Sequence, residues 1–127
     1  MVIETNLHMG KGIVRGDQFS IRRTVRGLPS GVTITAGLLT IKDAIATADP
    51  GLIQKSITSS NVAGTGQIED TGASGIGKIR FDLTTTNTLL MTADTDYYFD
   101  IQVTLSNSDV LTLEHGFTSA NTQVGTS

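Results

Sequence analysis

The sequence predicts an all-β protein, an antiparallel β-sandwich of seven or eight short strands. Segments that alternate apolar and polar residues recur roughly every 8–15 residues, and turn-forming residues separate them. Thr is abundant, Gly occurs 14 times, and no helical periodicity extends over ten residues. Strands at this spacing are typical of an immunoglobulin-like sandwich, and a jelly roll or a small barrel is the alternative.

The clearest strand signal lies between residues 97 and 116. A strand sends successive side chains to opposite faces, so alternation here separates a buried row from an exposed one. The predicted inward row is Tyr97, Phe99, Ile101, Val103 and Leu105, and the predicted outward row is Tyr98, Asp100, Gln102 and Thr104. The turn formers of segment 106–109 then predict a four-residue hairpin loop, and segment 110–113 predicts the returning strand.

Five further strands are predicted before this hairpin, at residues 12–15, 19–26, 33–42, 53–57 and 79–83. Leu39 and Ile41 are the expected inward pair of the third. Arg23 falls in the apolar phase of the second strand, which predicts a bulge or an edge position there. Lys55 is expected at an edge or along the surface for the same reason.

The remaining segments are predicted as connections. Residues 43–49 and 84–91 favour short helical turns, the second with Thr84, Thr85 or Thr86 as its N-cap. Residues 59–77 contain five Gly and predict a long flexible connection with a short strand at 67–69.

Length and composition indicate one domain. We expect an N-terminal arm at residues 1–11, the sandwich at 12–118 and a polar tail at 119–127. The chain has no Cys, no apolar run long enough to span a bilayer and no signal-peptide pattern at its start. We therefore expect folding in a cytoplasm, and neither a disulfide framework nor a membrane partner.

The net charge of −3 is unevenly distributed. Residues 1–60 hold seven Lys and Arg against four Asp and Glu, whereas residues 61–127 hold two against eight. Folding could average this asymmetry over the surface, or copies could meet acidic face to basic face. No concentrated basic patch is present, so a nucleic-acid partner is not predicted.

Catalytic and metal-binding patterns are weak. His8 and His115 are interpreted as surface or loop residues, because no ligand spacing accompanies them. The carboxylates Asp94, Asp96 and Asp100 are interpreted as solvating the start of a strand rather than as a glycosidase pair. We predict a protein without enzymatic activity, cofactor, metal or small-molecule substrate.

Three other patterns have ordinary structural explanations. Asp43 with Asp49, or Glu69 with Asp70, lacks the spacing of a calcium loop. The tripeptide at residues 15–17 has the sequence of a cell-adhesion motif, but the same residues are typical of a turn. The Gly residues of segment 64–77 are not followed by the Lys-Ser/Thr pair of a phosphate-binding loop. Arg22 and Arg26 share one strand face, where they either contact a partner or remain solvated.

The order of several segments carries a family resemblance. These segments are the Gly16-Asp17 turn, Leu39-Thr40-Ile41-Lys42, Phe81-x-Leu83-Thr84, and the strand Tyr97-Tyr98-Phe99-Asp100-Ile101-Gln102 with its return Thr112-Leu113-x-x-Gly116. Over residues 12–117 the chain resembles small immunoglobulin-like modules of tailed-bacteriophage structural proteins. It is also similar to the N-terminal modules of phage upper-baseplate proteins, which hold receptor-binding proteins on the virion.

The resemblance implies a non-enzymatic virion protein, an assembly or adaptor module of the tail, neck, baseplate or fibre anchor. Its expected partners are other virion proteins and further copies of itself, in a trimer or a ring. Candidate contact residues are Met1, Val2, Ile3, Arg22, Arg26, Tyr98, Asp100 and Gln102. The alternatives are a capsid decoration protein, or a carbohydrate- or host-surface-binding module that uses Tyr98 as a stacking platform.

Overall fold

Nine strands and one short helix are present in a computed structural model, which describes residues 13–44 and 51–121 together with the backbone of residues 2–5. The elements are β1 (Val2–Thr5), β2 (Ile13–Val14), β3 (Phe19–Arg26), β4 (Ile34–Lys42), β5 (Ile53–Ile57), β6 (Gly66–Thr71), β7 (Ile76–Leu83), α1 (Thr85–Leu89), β8 (Thr95–Leu105) and β9 (Val110–Asn121). The chain is therefore all-β, as predicted.

The strands form two sheets. One has four strands in the order β1-β3-β7-β6, and the other has five in the order β2-β9-β8-β4-β5. Neighbouring strands are antiparallel, except that β2 runs parallel to β9. Because chain neighbours such as β3 and β4 lie in different sheets, the connections repeatedly cross between the two layers.

The predicted hairpin is the longest pairing in the structure. β8 and β9 pair from Thr95↔Ala120 to Thr104↔Val110, with a register shift opposite the Ile101–Gln102 step. The loop at 106–109 closes through Leu105, whose amide donates to the Asp109 carbonyl at 2.8 Å. Ser108 takes a positive φ of 72°, and the Asn107 side chain accepts from the Asp109 amide at 3.0 Å. These contacts confirm the four-residue loop.

The inward faces of both sheets share one hydrophobic core. The predicted inward row of β8 is buried throughout, as are Leu39 and Ile41 on β4. The layers touch directly at Gly37 of β4, where an added Cβ would lie 3.3 Å from Phe81 Cζ on β7. Small residues at such positions allow side chains of the opposite sheet to fill the space between the layers.

The helical turn after β7 is also confirmed. Thr84 is the N-cap of α1: its hydroxyl accepts from the Asn87 amide at 3.1 Å, while the Asn87 side chain accepts from the Thr84 amide at 2.9 Å. This reciprocal capping satisfies backbone donors that a helix start otherwise leaves unpaired. The turn predicted at residues 43–49 lies largely outside the described residues.

Two predictions about the strands were wrong. Arg23 lies at neither a bulge nor an edge: β3 has neighbours on both sides, its register with β7 is unbroken, and Arg23 is 1% exposed. The prediction for residues 59–77 was wrong in extent: the short strand expected at 67–69 is present but extends over β6, and β7 already begins at Ile76, so that β6 and β7 form a hairpin around residues 72–75. Gly72 and Gly75 flank the turn of this hairpin, and both have positive φ.

The structure also places strands in the two terminal segments. β1 lies within the predicted arm and pairs with β3, from Val2↔Arg26 to Thr5↔Arg23. β9 continues to Asn121, so Ser119–Asn121 of the predicted tail belong to the five-stranded sheet.

Candidate partner-binding surfaces

An aromatic pair marks the outer face of the five-stranded sheet. Tyr98 of β8 lies directly opposite Phe117 of β9, and their rings meet edge to face with centroids 5.9 Å apart. Phe117 is 66% exposed, although it sits on a regular strand rather than a loop. Tyr98 is half-buried, since Phe117 flanks it on one side and Lys42 of β4 is its register neighbour on the other.

The other outward residues predicted on β8 extend this face. Asp100 lies between Thr40 of β4 and His115 of β9, and Gln102 lies between Leu38 and Thr112. Asp100 and Gln102 are held in place because β8 is paired with β4 on one side and with β9 on the other. Among the described residues, β9 has a second strand neighbour only at Ala120 and Asn121, which pair with β2. The predicted outward row is therefore one continuous surface with the aromatic pair.

The outer face of the four-stranded sheet is charged. Arg22 of β3 lies directly opposite Arg80 of β7, and Ser20 lies opposite Asp82. Arg26 occupies the same face near the far end of β3, opposite Ile76. The two arginines singled out from the sequence, Arg22 and Arg26, are thus both outward, as predicted from their spacing.

Arg80 organises this face. Its Nε donates to the Asp82 carboxylate at 3.1 and 3.2 Å, Nη1 to Glu69 Oε2 at 3.0 Å, and Nη2 to Asn61 Oδ1 at 2.7 Å. Ser20 Oγ donates to the same Asp82 carboxylate at 2.8 Å. The network joins β3, β7, β6 and the connection before β6, which makes it a rigid polar surface.

A groove of about 400 Å³ opens beside this network. It is lined by Gln18, Ser20, Arg22, Gly64, Arg80, Asp82, Leu83 and Thr84. Lys55 of edge strand β5 approaches from the other sheet, and its Nζ donates to the Gly64 carbonyl at 2.7 Å. Burial lowers the pKa of Lys55 below 10.5, and the nearby Asp82 carboxylate partly opposes this shift.

The adhesion-like tripeptide has a structural role. Arg15 Nε donates to the Met91 carbonyl at 2.7 Å, just after α1, and the Gly16 amide donates to Thr88 Oγ1 at 3.0 Å. Gly16 has a positive φ of 89° in the turn between β2 and β3. The turn is thereby attached to the helix, in agreement with the turn interpretation.

The candidate metal ligands do not converge where the structure describes them. Within residues 13–44 and 51–121, no group of three or more His, Asp or Glu side chains could hold a metal ion. Glu69 pairs with Arg80, and Asp70 accepts from the Gly72 amide at 2.9 Å. His8 and Asp49 lie outside the described residues, as does Met1. No helix in the described part of the chain is long and apolar enough to cross a membrane.

The groove was not predicted from the sequence, although Arg22 was. Its second arginine, Arg80, alternates with Asp82 on the strand predicted at residues 79–83, so the residue types were visible in the sequence. The missing information was the register that sets β3 against β7, since these strands are about sixty residues apart in the chain.

No family model matches the chain, and searches among curated proteins and solved structures found no significant match.

Proposed function

We propose that this chain is a non-enzymatic structural module of a tailed-bacteriophage particle, which acts by binding neighbouring subunits in the tail, neck, baseplate or fibre-anchoring region. Two independent lines support the proposal. One is the resemblance over residues 12–117. The other, which carries it, is the aromatic pair of Tyr98 and Phe117 on the outer face of the five-stranded sheet.

The fold we propose is the immunoglobulin-like sandwich. The order β1-β3-β7-β6 corresponds to immunoglobulin strands A-B-E-D, and β9-β8-β4-β5 corresponds to G-F-C-C′. A second feature supports this assignment: near the start of β8, the Tyr97 hydroxyl accepts from the Thr92 amide at 2.5 Å. A tyrosine bonded to backbone just upstream, at the start of strand F, is the tyrosine corner of these domains.

The exposed ring of Phe117 favours a protein partner. Full burial of a Phe side chain stabilises a protein by about 1.5–3 kcal/mol, and Phe117 is 66% exposed. Aromatic residues are enriched at interface centres, where rigid presentation reduces the entropy lost on binding. Strand pairing and the Tyr98 contact supply that rigidity here. Closed symmetry is the usual arrangement of such assemblies, so we propose a homo-oligomeric trimer or ring.

Mass spectrometry of density-purified particles of a tailed phage that encodes this chain, together with a co-sedimentation assay using recombinant protein, tests this function. We expect the chain in the particles, and we expect Phe117→Ser to weaken association at least tenfold. Val110→Ser is the matched control, because Val110 is 60% exposed on the same strand but lies at the hairpin end. Absence of the chain from particles, or equal effects of the two variants, would contradict the proposal.

A further inference from the structure

The groove on the four-stranded sheet contains an electrostatic conflict. Arg22 and Arg80 are directly opposite each other on β3 and β7, and both line the groove. Like charges in directly opposed strand positions destabilise a sheet. Such a pair is stable where nearby anions offset the repulsion. The carboxylates that contact each guanidinium therefore determine how much of the repulsion remains.

The two arginines differ in how well they are neutralised. Arg80 is 15% exposed and has three hydrogen-bonded partners, of which Asp82 and Glu69 are carboxylates. Arg22 is 54% exposed, and its Nε lies 3.8 Å from Glu69 Oε1, a carboxylate that already accepts from Arg80. A contact of that length is too long for a hydrogen bond. Arg22 is therefore weakly paired, and it is one of the residues that line the groove.

The local charge is compatible with one additional negative charge. Among the side chains that the structure describes, three cations, Arg22, Arg80 and Lys55, surround the groove or its Gly64 wall, and two carboxylates, Glu69 and Asp82, face them. The difference is one positive charge. A single carboxylate balances it, whereas a phosphate dianion would place excess negative charge beside Asp82 and Glu69.

We propose that this groove receives the carboxylate of an Asp or Glu side chain from a neighbouring subunit. The Arg22 fork donates to both carboxylate oxygens, the geometry in which arginine binds this group most strongly. Gln18, which also lines the groove, supplies an amide donor, and the Arg80 network holds Ser20 and Asp82 of the groove lining in place. The inference rests on the proposed function, because it names the chemistry by which a partner subunit is recognised.

Nuclear magnetic resonance on the ¹⁵N-labelled full chain tests the site directly. The probe is N-acetyl-aspartate N-methylamide, which presents one carboxylate, and its neutral isostere is N-acetyl-asparagine N-methylamide. We expect saturable shifts at the Gln18, Ser20 and Gly64 amides and at Arg80 Nε–H with the probe. Arg22→Gln should raise the dissociation constant about tenfold or more, and Arg26→Gln, on the same strand face outside the groove, should leave it unchanged.

Three results would overturn the inference: no saturable shifts at these groups, equal shifts with the neutral isostere, or equal weakening by Arg26→Gln and Arg22→Gln. Spectral dispersion of each variant verifies that it is folded. The particle assay separates this inference from the function itself. If wild-type chain and Arg22→Gln associate equally with particles, the groove inference fails while the structural function stands. If the chain never associates, the function fails whatever the probe shows.

Discussion

Arg23 and Glu114 join the two sheets through the core. Arg23 Nε donates to Glu114 Oε1 at 2.7 Å and Nη2 donates to Oε2 at 3.1 Å, which connects β3 with β9. Nη1 donates to the Arg22 carbonyl at 2.8 Å. A buried guanidinium is tolerated only when its donors are paired, and here all three nitrogens have partners.

Loss of the Glu114 carboxylate should destabilise the fold. Glu114→Gln leaves the 1%-exposed Arg23 charge without its counter-ion, and removing one member of a buried ion pair costs about 3–5 kcal/mol. We expect a cost near the lower end of that range, because the Glu114 side chain is 22% exposed. Urea unfolding measures it.

The matched control for this prediction is Glu69→Gln, which removes a carboxylate on the outer face and should cost about 1 kcal/mol or less. The double variant Arg23→Met/Glu114→Gln should recover most of the stability that Glu114→Gln loses, because no unpaired charge then remains in the core. Equal costs for Glu114→Gln and Glu69→Gln would show that the inter-sheet pair has no special role.

Tyr97 and Tyr98 offer a second test, since they are adjacent but face opposite sides of β8. Tyr97→Phe removes the acceptor of the Thr92 amide while keeping the buried ring, so it should cost about 1–2 kcal/mol. Tyr98→Phe should change stability by less than about 0.5 kcal/mol, because its outward hydroxyl lies on the half-exposed face. Thermal or urea unfolding measures the loss of stability in each variant. A larger loss for Tyr98→Phe than for Tyr97→Phe would contradict the structural role given to the Tyr97 hydroxyl.

Among the glycines that the structure describes, Gly66 should be the least replaceable. It has a φ of 127°, and an added Cβ would collide with the carbonyl oxygen of Arg80 on the neighbouring strand. Gly66→Ala therefore forces the β6–β7 pairing apart, and we expect a loss of about 3 kcal/mol or more.

Gly31→Ala is the control for that substitution. Gly31 has a φ of 81°, but nothing lies within 4 Å of its added Cβ, so only the backbone preference of about 1–2 kcal/mol is lost. If the two substitutions cost the same in urea unfolding, the close approach at Gly66 is not what limits that position.

Lys55 should make stability depend on alkaline pH. Burial lowers the pKa of Lys55 in the folded state below its ordinary value of 10.5. At pH values between the folded-state pKa and 10.5, the unfolded chain therefore binds more protons than the folded chain. The free energy of unfolding should then rise with pH through that window, relative to Lys55→Met. Urea titrations from pH 7 to 10.5 measure the free energy of unfolding of the wild-type chain and of Lys55→Met. If the wild-type value minus the variant value stays constant or falls with pH, the pKa of Lys55 is not lowered in the folded state.

Local sequence pattern was sufficient for most of the strands. The period-two alternation along β8 identified its buried row, and the turn formers of segment 106–109 identified the loop, because both effects act between residues close in the chain. The Thr84 N-cap belongs to the same class, since its partner is three residues away.

Only the tertiary structure explained the charged residues. The sequence pattern places a charged residue, Arg23, in a buried row, and this predicted an irregular or edge position. The carboxylate that pairs with Arg23 belongs to Glu114, 91 residues later, and a local pattern cannot show that pairing. Likewise, the Arg22–Arg80 groove exists only once β3 and β7 are in register. The alternation of side chains along a strand is a local property, whereas the pairing of charges depends on which strands the fold brings together, and that decided where this protein carries its candidate binding site.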